Sequence, residues 1–109
     1  MLPPVQISFR DIPHSDFVES AIWDRVSLLD RAFPGKKISS CQVVISAPHR
    51  HRHHGKVFHV QVRLSVPQKK IVVTREPEKD PSHENVYVAI RDAFAAIERQ
   101  LEDYVRRGI

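Results

Sequence analysis

Alternating apolar and polar positions predict four short β-strands, at residues 5–10, 38–46, 58–66 and 71–75. The third is the clearest, because five apolar residues there share one phase: Phe58, Val60, Val62, Leu64 and Val66. In the second strand, Cys41 falls on the apolar phase with Val43 and Ile45. A tight turn at 67–69 separates the third strand from the fourth, and we expect strands two to four to form an antiparallel meander.

Two segments instead show the three-to-four spacing of amphipathic helices. The first begins after Ser15 as N-cap and ends at Pro34-Gly35, with Ala21, Leu28 and Ala32 widening its apolar stripe. That stripe consists of Val18, Ile22, Val26, Leu29 and Phe33. The second helix is predicted to begin at Asp80-Pro81, a good cap and first-turn pair. Its stripe consists of Tyr87, Ile90, Phe94, Ile97, Leu101 and Tyr104.

The order β-α-β-β-β-α predicts an α+β fold, a two-layer sandwich in which two helices cover one face of a four-stranded mixed sheet. We expect one domain over residues 1–109, with the first two strands parallel. The other sheet face is predicted to stay open to water, because its residues are mostly polar. Those residues are Gln6, Ser8, Arg10, Gln42, Val44, Ser46, His59, Gln61, Arg63 and Ser65.

Charge is unevenly distributed along the chain, which has a net charge of +4. Residues 31–75 contain no Asp or Glu, whereas the segments on either side are each net acidic. The cations of this stretch are Arg31, Lys36, Lys37, Arg50, Arg52, Lys56, Arg63, Lys69, Lys70 and Arg75. Such a partition is typical of proteins that bind a polyanion. We expect the fold to place these cations in two clusters at opposite ends of the sheet, roughly 20–30 Å apart. A nucleic acid can contact both clusters at that distance, whereas a small ligand cannot.

Composition argues against several other classes. No run of about 18 apolar residues is present, and the N-terminus lacks the basic and apolar regions of a signal peptide. The single cysteine cannot form an internal disulfide, so we expect a cytoplasmic protein with a buried, structural Cys41. His59 and His83 are expected to be solvated. With no catalytic constellation, we expect no enzyme, no cofactor and no small-molecule substrate.

A histidine-rich segment, called the tip here, spans residues 47–56 and alternates histidine with arginine. Imidazole is a common metal ligand, so a metal-binding function stays open. The intervening arginines would repel a cation, however, and we expect no metal site. The tip histidines, His49, His51, His53 and His54, would instead gain charge below about pH 6.5 and strengthen contacts to phosphate.

The last helix resembles a known family. Residues 84–90, Glu-Asn-Val-Tyr-Val-Ala-Ile, and 97–101, Ile-Glu-Arg-Gln-Leu, are similar to two segments of the ribosome hibernation promoting factor and ribosome-associated inhibitor A family, at the same spacing. That family is also known as the sigma-54 modulation or S30EA proteins. Asp24-Arg25 and Leu29-Asp30-Arg31 resemble its first helix.

The resemblance implies the same β-α-β-β-β-α fold and a function in translation. Members bind the small ribosomal subunit near the decoding centre and hold the ribosome idle in stationary phase or stress. It further implies a short form without the dimerising extension, a monomer whose partners are 16S rRNA in the free subunit and the 70S ribosome. Arg25, Arg31 and Arg99 match positions where the family places basic contacts to rRNA.

The chain also departs from the family pattern, since Ala96 and Asp103 stand where the last helix often carries lysines. Its tip is longer and more basic than in a typical member. We therefore expect RNA contact to have shifted partly to the tip. The complete predicted RNA-binding set is Arg25, Arg31, Lys36, Lys37, Arg50, Arg52, Lys56, Arg63, Arg75, Arg91 and Arg99.

Two functions of other classes remain open on sequence alone. One is a double-stranded-RNA binder that acts off the ribosome and reads A-form shape. The other is metal sensing or storage by the tip histidines. An adaptor for a transcription factor, which one family name suggests, has no support in particular residues.

Overall fold

The elements follow the predicted order β-α-β-β-β-α. The structure, a computed structural model, describes residues 3–34, 38–47, 58–75 and 85–107. The strands and helices are β1 (Val5–Arg10), α1 (Asp16–Ala32), β2 (Ser40–Ser46), β3 (His59–Val66), β4 (Lys69–Arg75) and α2 (Val86–Arg106). No helix in these ranges is long and apolar enough to cross a membrane.

The four strands form one mixed sheet in the order β1-β2-β3-β4. β1 is parallel to β2, and β2, β3 and β4 form the predicted antiparallel meander. β1, β2 and β4 therefore run in one direction, and each helix follows a strand of that direction. The register aligns apolar residues across the sheet, in rows such as Ile7, Val43, Val62 and Val73.

The hydrophobic core lies between this apolar sheet face and the two helices. Burying a large aliphatic side chain contributes roughly 1.5–3 kcal/mol, so the residues with at most 1% exposure account for much of the stability. The largest of these are Ile22, Ile45, Leu64, Ile71, Ile90, Ile97 and Leu101. The predicted two-layer α+β sandwich is confirmed, with both helices on one sheet face and, among the described residues, no helix on the other.

Helix α1 has the predicted cap, because the Ser15 hydroxyl accepts a hydrogen bond from the Val18 amide at 3.3 Å. The prediction that Leu28 and Ala32 widen its buried stripe is wrong. Leu28 is 50% exposed and Ala32 is also exposed. Both line the space between the helices, at its exposed side, whereas Val26 is buried in the core with 1% of its surface exposed.

Helix α2 begins later than predicted. Its N-cap is Asn85, whose Oδ1 accepts a hydrogen bond from the Tyr87 amide at 2.9 Å, so Asp80 is not the cap of this helix. Tyr87 is 48% exposed and does not belong to the core, because it sits in the first turn, ahead of the first buried residues. Buried alanines not included in the predicted stripe, at 89, 93 and 96, lie between its large residues.

Strand limits also shift around the β3–β4 turn. Val66 pairs with Lys69, so the turn consists of Pro67 and Gln68, and β4 begins two residues earlier than predicted. Conversely, β2 begins at Ser40 rather than at Ile38, which packs against the core from outside the strand.

Candidate nucleic-acid interface

The two layers of the sandwich differ in charge. Strands β1 to β4 carry five Lys or Arg residues and no Asp or Glu. Helices α1 and α2 together carry eight Asp or Glu residues against five Arg residues. The acid-free residues 31–75 therefore supply β2, β3 and β4, whereas the net acidic flanks supply β1 and nearly all of both helices.

The sheet face that carries no helix is called the open face here. Strand alternation and register assign fourteen residues to it, each exposed or half-buried. They are Gln6, Ser8, Arg10, Ser40, Gln42, Val44, Ser46, His59, Gln61, Arg63, Ser65, Lys70, Val72 and Thr74. None is acidic and none is a Phe, Tyr or Trp.

Hydrogen bonds between neighbouring strands order the amide side chains of the open face. Gln42 Nε2 donates to Gln6 Oε1 at 3.2 Å, and Gln61 Nε2 donates to Thr74 Oγ1 at 3.4 Å. Gln42 and Gln61 are thereby linked to side chains of the neighbouring strands.

A groove runs between the two helices on the opposite side of the molecule. It has a volume of about 360 Å³ and is lined by two of the predicted RNA-binding residues, Arg25 and Arg91, together with Glu98. Its apolar part is Leu28, Leu29, Ala32, Phe94 and Ala95. Because both helices run in the same direction, Arg25 and Arg91 come to the same groove although 66 residues separate them in sequence.

The structure thus divides the predicted RNA-binding set between two faces. Arg25, Arg31, Arg91 and Arg99 lie in the helix layer, and Arg63 lies on the open face. Arg75 is the last residue of β4 and pairs with Val60. The other predicted residues, Lys36, Lys37, Arg50, Arg52 and Lys56, lie outside the described residues, as does most of the tip.

The two faces also differ in how far their arginines are neutralised. Arg91 lines the groove, and its Nη2 atom lies 3.2 Å from Oδ1 of its sequence neighbour Asp92. Glu98 is the carboxylate that lines the groove itself. The other ion pairs among the described residues are those of His14, so Arg63 has none within these ranges.

Two further cations of the open face, Arg10 and Lys70, are not in the predicted RNA-binding set. Their strand register is the signal that identifies them.

Two side chains of the sheet have unusual surroundings. The Nε2 atom of His59 is shielded from solvent and has no hydrogen-bond partner among the described residues, so the prediction of a solvated ring is wrong for His59. His59 is the first residue of β3, which lies between β2 and β4 in the sheet. Cys41 is buried as predicted, and this burial raises the pKa of its thiol to about 11.

One group of potential metal ligands occurs in the described ranges: His14, Asp16 and Glu19. His14 Nε2 lies 2.6 Å from Glu19 Oε2, and the ring packs edge-on against Phe9. Asp16 and Glu19 belong to the first turn of α1, where the helix dipole already favours carboxylates and disfavours a cation. The arrangement therefore needs no metal to explain it. The His tip proposed for metals lies outside the described residues.

Known structures share this fold. The N-terminal domain of Protein Y from Thermus thermophilus aligns with a TM-score of 0.70 at 17% identity, covering 95% of this chain and 99% of that chain. A ribosomal subunit interface protein from Coxiella burnetii aligns with a TM-score of 0.71 at 16% identity, covering 94% and 97%. At these identities the likeness is one of fold.

No curated protein sequence matches this chain. The family described as sigma 54 modulation protein / S30EA ribosomal protein, however, matches residues 5–108. That match spans every strand and helix described above, in agreement with the resemblance found in α1 and α2. This chain therefore belongs to the sigma 54 modulation protein / S30EA ribosomal protein family of ribosome-associated modulation factors.

Proposed function

We propose that this chain inhibits translation by binding the 16S rRNA of the small ribosomal subunit near the decoding centre. It acts in the cytoplasm as a monomer, on free subunits and whole 70S ribosomes, under stress or in stationary phase. Bound there, it occupies the space that messenger and transfer RNA need, so the ribosome stays idle. The function is one of binding, without a catalysed reaction or a cofactor.

The observation that carries this proposal is the charge partition within the fold. Ten Lys or Arg residues and no Asp or Glu occur in residues 31–75, the part of the chain that contains β2, β3 and β4. RNA is the abundant polyanion of a ribosome, and phosphate contacts supply most of the affinity of sequence-independent RNA binding. Family membership supports the ribosome as the particle on which this RNA is met.

Co-sedimentation with ribosomes tests the proposal. Purified protein would be run on sucrose gradients with small subunits, large subunits and 70S ribosomes, at roughly 0.1 and 0.5 M salt, because phosphate contacts weaken steeply over that range. We expect saturable one-to-one migration with the small subunit and the 70S ribosome, abolished at the higher salt. Absence of migration at the lower salt would contradict the proposal.

A plain RNA duplex serves as the competitor that separates ribosome binding from general duplex binding. An excess of duplex should leave the ribosome complex intact, because the decoding region offers a larger surface than one A-form helix. Duplex binding as tight as ribosome binding would favour the off-ribosome double-stranded-RNA function instead.

The basic residues of the tip make a separate contribution in this proposal. Replacing Arg50, Arg52 and Lys56 together by glutamine should weaken ribosome binding and lower its salt dependence by about 0.7–0.9 for each phosphate that is no longer neutralised. Unchanged ribosome affinity of this triple variant would remove the tip from the interface. Equal affinity at pH 5.5 and pH 8, at matched salt, would remove the proposed role of the tip histidines.

A further inference from the structure

The groove between α1 and α2 has the chemistry of a site for one nucleotide. Two arginines, Arg25 and Arg91, and one carboxylate, Glu98, line it together with apolar side chains. We propose that this groove binds a single unstacked nucleotide of ribosomal RNA, with its phosphate at the two arginines and a guanine base at Glu98. The proposal rests on the function proposed above and names the RNA element that the groove takes up.

The charges of the groove are separated along the helices. Arg91 and Glu98 lie on one flank of α2, two turns apart, so their Cα atoms are roughly 10 Å from each other. The lining residues of α1 have the same spacing and α1 runs in the same direction, so Arg25 lies opposite Arg91. The groove therefore has a cationic end and an acidic end, separated by about the length of a nucleotide.

The charged groups of the groove are available to a ligand. Arg25 is half-buried, and within the described ranges neither Arg25 nor Glu98 forms an ion pair or a side-chain hydrogen bond. Arg91 pairs with Asp92, but both side chains are partly exposed, and an exposed pair of this kind contributes little. A phosphate can accept from both guanidinium groups at once, so it competes well for Arg91.

The middle of the groove is apolar and suits a flat base. Leu28 supplies its wall, since half of that side chain is exposed, and Leu29 and Phe94 form its floor with 6% and 4% of their surfaces exposed. Ala95 is small and leaves room above this floor. The volume of about 360 Å³ is within the usual range for small-ligand sites. A base that leaves water for this surface gains from burial, whereas a duplex is too wide to enter between two packed helices.

Glu98 determines which base fits best. A carboxylate only accepts hydrogen bonds. Guanine presents its N1–H and N2–H donors side by side, so both oxygens of Glu98 can accept at once. Adenine and cytosine each offer one amino group. Uracil has a carbonyl oxygen on either side of its one donor, and these oxygens repel the carboxylate. We expect affinity to fall from guanine through adenine and cytosine to uracil.

Binding of short single-stranded RNA tests the preference directly. Four uridine-rich strands that differ only in one central base would be titrated with the full chain by fluorescence anisotropy at low salt. The strand with guanine should bind roughly tenfold more tightly than the all-uridine strand, which is within the range for one bidentate base contact. Small subunits would be titrated in parallel under the same conditions.

Glu98→Gln and Glu102→Gln are charge-matched variants that test the role of Glu98. Both remove one carboxylate from α2, but Glu102 does not line the groove. Removing a carboxylate reduces repulsion of RNA, so Glu102→Gln should bind the guanine strand unchanged or slightly more tightly. Glu98→Gln should instead weaken binding of that strand roughly tenfold and remove its preference over uridine. Both variants would first be checked for an unchanged circular dichroism spectrum and thermal midpoint.

Arg91→Gln tests the phosphate end of the groove, with Arg106→Gln as its control. Arg91→Gln should weaken all four strands alike and lower the slope of log affinity against log salt by about 0.7, the value for one phosphate on a single strand. It should leave the preference for guanine in place. Arg106→Gln, which lies outside the groove, should keep the slope of the unchanged protein.

Three outcomes would overturn the inference while the proposed function stands. They are equal affinity for the four strands, an equal effect of Glu98→Gln and Glu102→Gln, and no binding of any strand under conditions in which small subunits bind. Failure to bind small subunits, with the guanine preference intact, would instead remove the proposed function and ribosomal RNA as the source of the nucleotide.

Discussion

The hydroxyl of Tyr104, near the end of α2, donates a hydrogen bond of 3.0 Å to the carbonyl oxygen of Pro67 in the β3–β4 turn. The ring of Tyr104 is buried in the core, with 6% of its surface exposed. One side chain therefore both fills the core and ties the last helix to the end of the sheet.

Substitution of Tyr104 should separate these two contributions. Tyr104→Phe keeps the ring and should lower the free energy of unfolding by about 0.5–1.5 kcal/mol, the net value of one hydrogen bond. Tyr104→Ala also removes the ring and should cost about 3–5 kcal/mol, by analogy with other aromatic truncations. Equilibrium unfolding in urea measures both. Equal destabilisation of the two variants would mean that the ring contributes little.

Gln68, the second residue of the same turn, has a positive φ of 66°. A side chain with a Cβ is strained there by roughly 1–2 kcal/mol, and glycine is not. Gln68→Gly should therefore raise the free energy of unfolding by about 0.5–1 kcal/mol, after subtracting the greater freedom of glycine in the unfolded chain. Gln68→Ala is the matched control, because it keeps the Cβ and should give no gain. Destabilisation by glycine would show that contacts of the glutamine side chain outweigh the strain.

Asn85 caps α2, and its removal should destabilise the protein. Asn85→Ala deprives the Tyr87 amide of its acceptor and should cost about 1 kcal/mol in chemical unfolding. Asn85→Asp should be close to neutral, because aspartate is an equally good cap and its charge suits the helix dipole. Asp80→Ala should leave stability unchanged. A larger destabilisation from Asp80→Ala than from Asn85→Ala would argue for a helix that starts earlier.

The shift of this cap shows where sequence patterns stop being informative. Asp80-Pro81 and Asn85 are both chemically sound helix starts. Which one is used depends on where the helix meets the sheet, and the first residues buried there are Ala89 and Ile90. Tyr87 likewise fits the spacing of the predicted stripe, but it lies in the turn that precedes the first buried residues of α2.

Strand patterns were more informative than helix patterns here. Alternation has a period of two, so residues such as Val43, Val62 and Arg63 are placed on a definite face as soon as the strand is recognised. The helices leave more freedom, because the buried width of a stripe depends on the neighbouring helix. The groove that brings Arg25 and Arg91 together depends on how α1 and α2 pack, which neither pattern contains.

Cys41 provides a test of the core that does not depend on ribosomes. It pairs with Val5 and Leu64 in the centre of the sheet, and 1% of its surface is exposed. Because burial disfavours the thiolate and shields the sulfur, the native protein should not react with a thiol reagent at about pH 8. Labelling should become rapid in denaturant, where the thiol is exposed. Rapid labelling of the native protein would contradict the described core.

The raised pKa of Cys41 also predicts how stability depends on pH. The thiol has a pKa of 9.0 when exposed and about 11 in the fold, so the protein loses stability as pH rises through that interval. Below the lower value both states hold the proton, and this contribution to stability is present in full. Urea unfolding at several pH values, compared with Cys41→Ala, isolates the effect from lysine and tyrosine titration. A fall in stability between about pH 9 and 11 that is as steep in Cys41→Ala would assign it to those other groups.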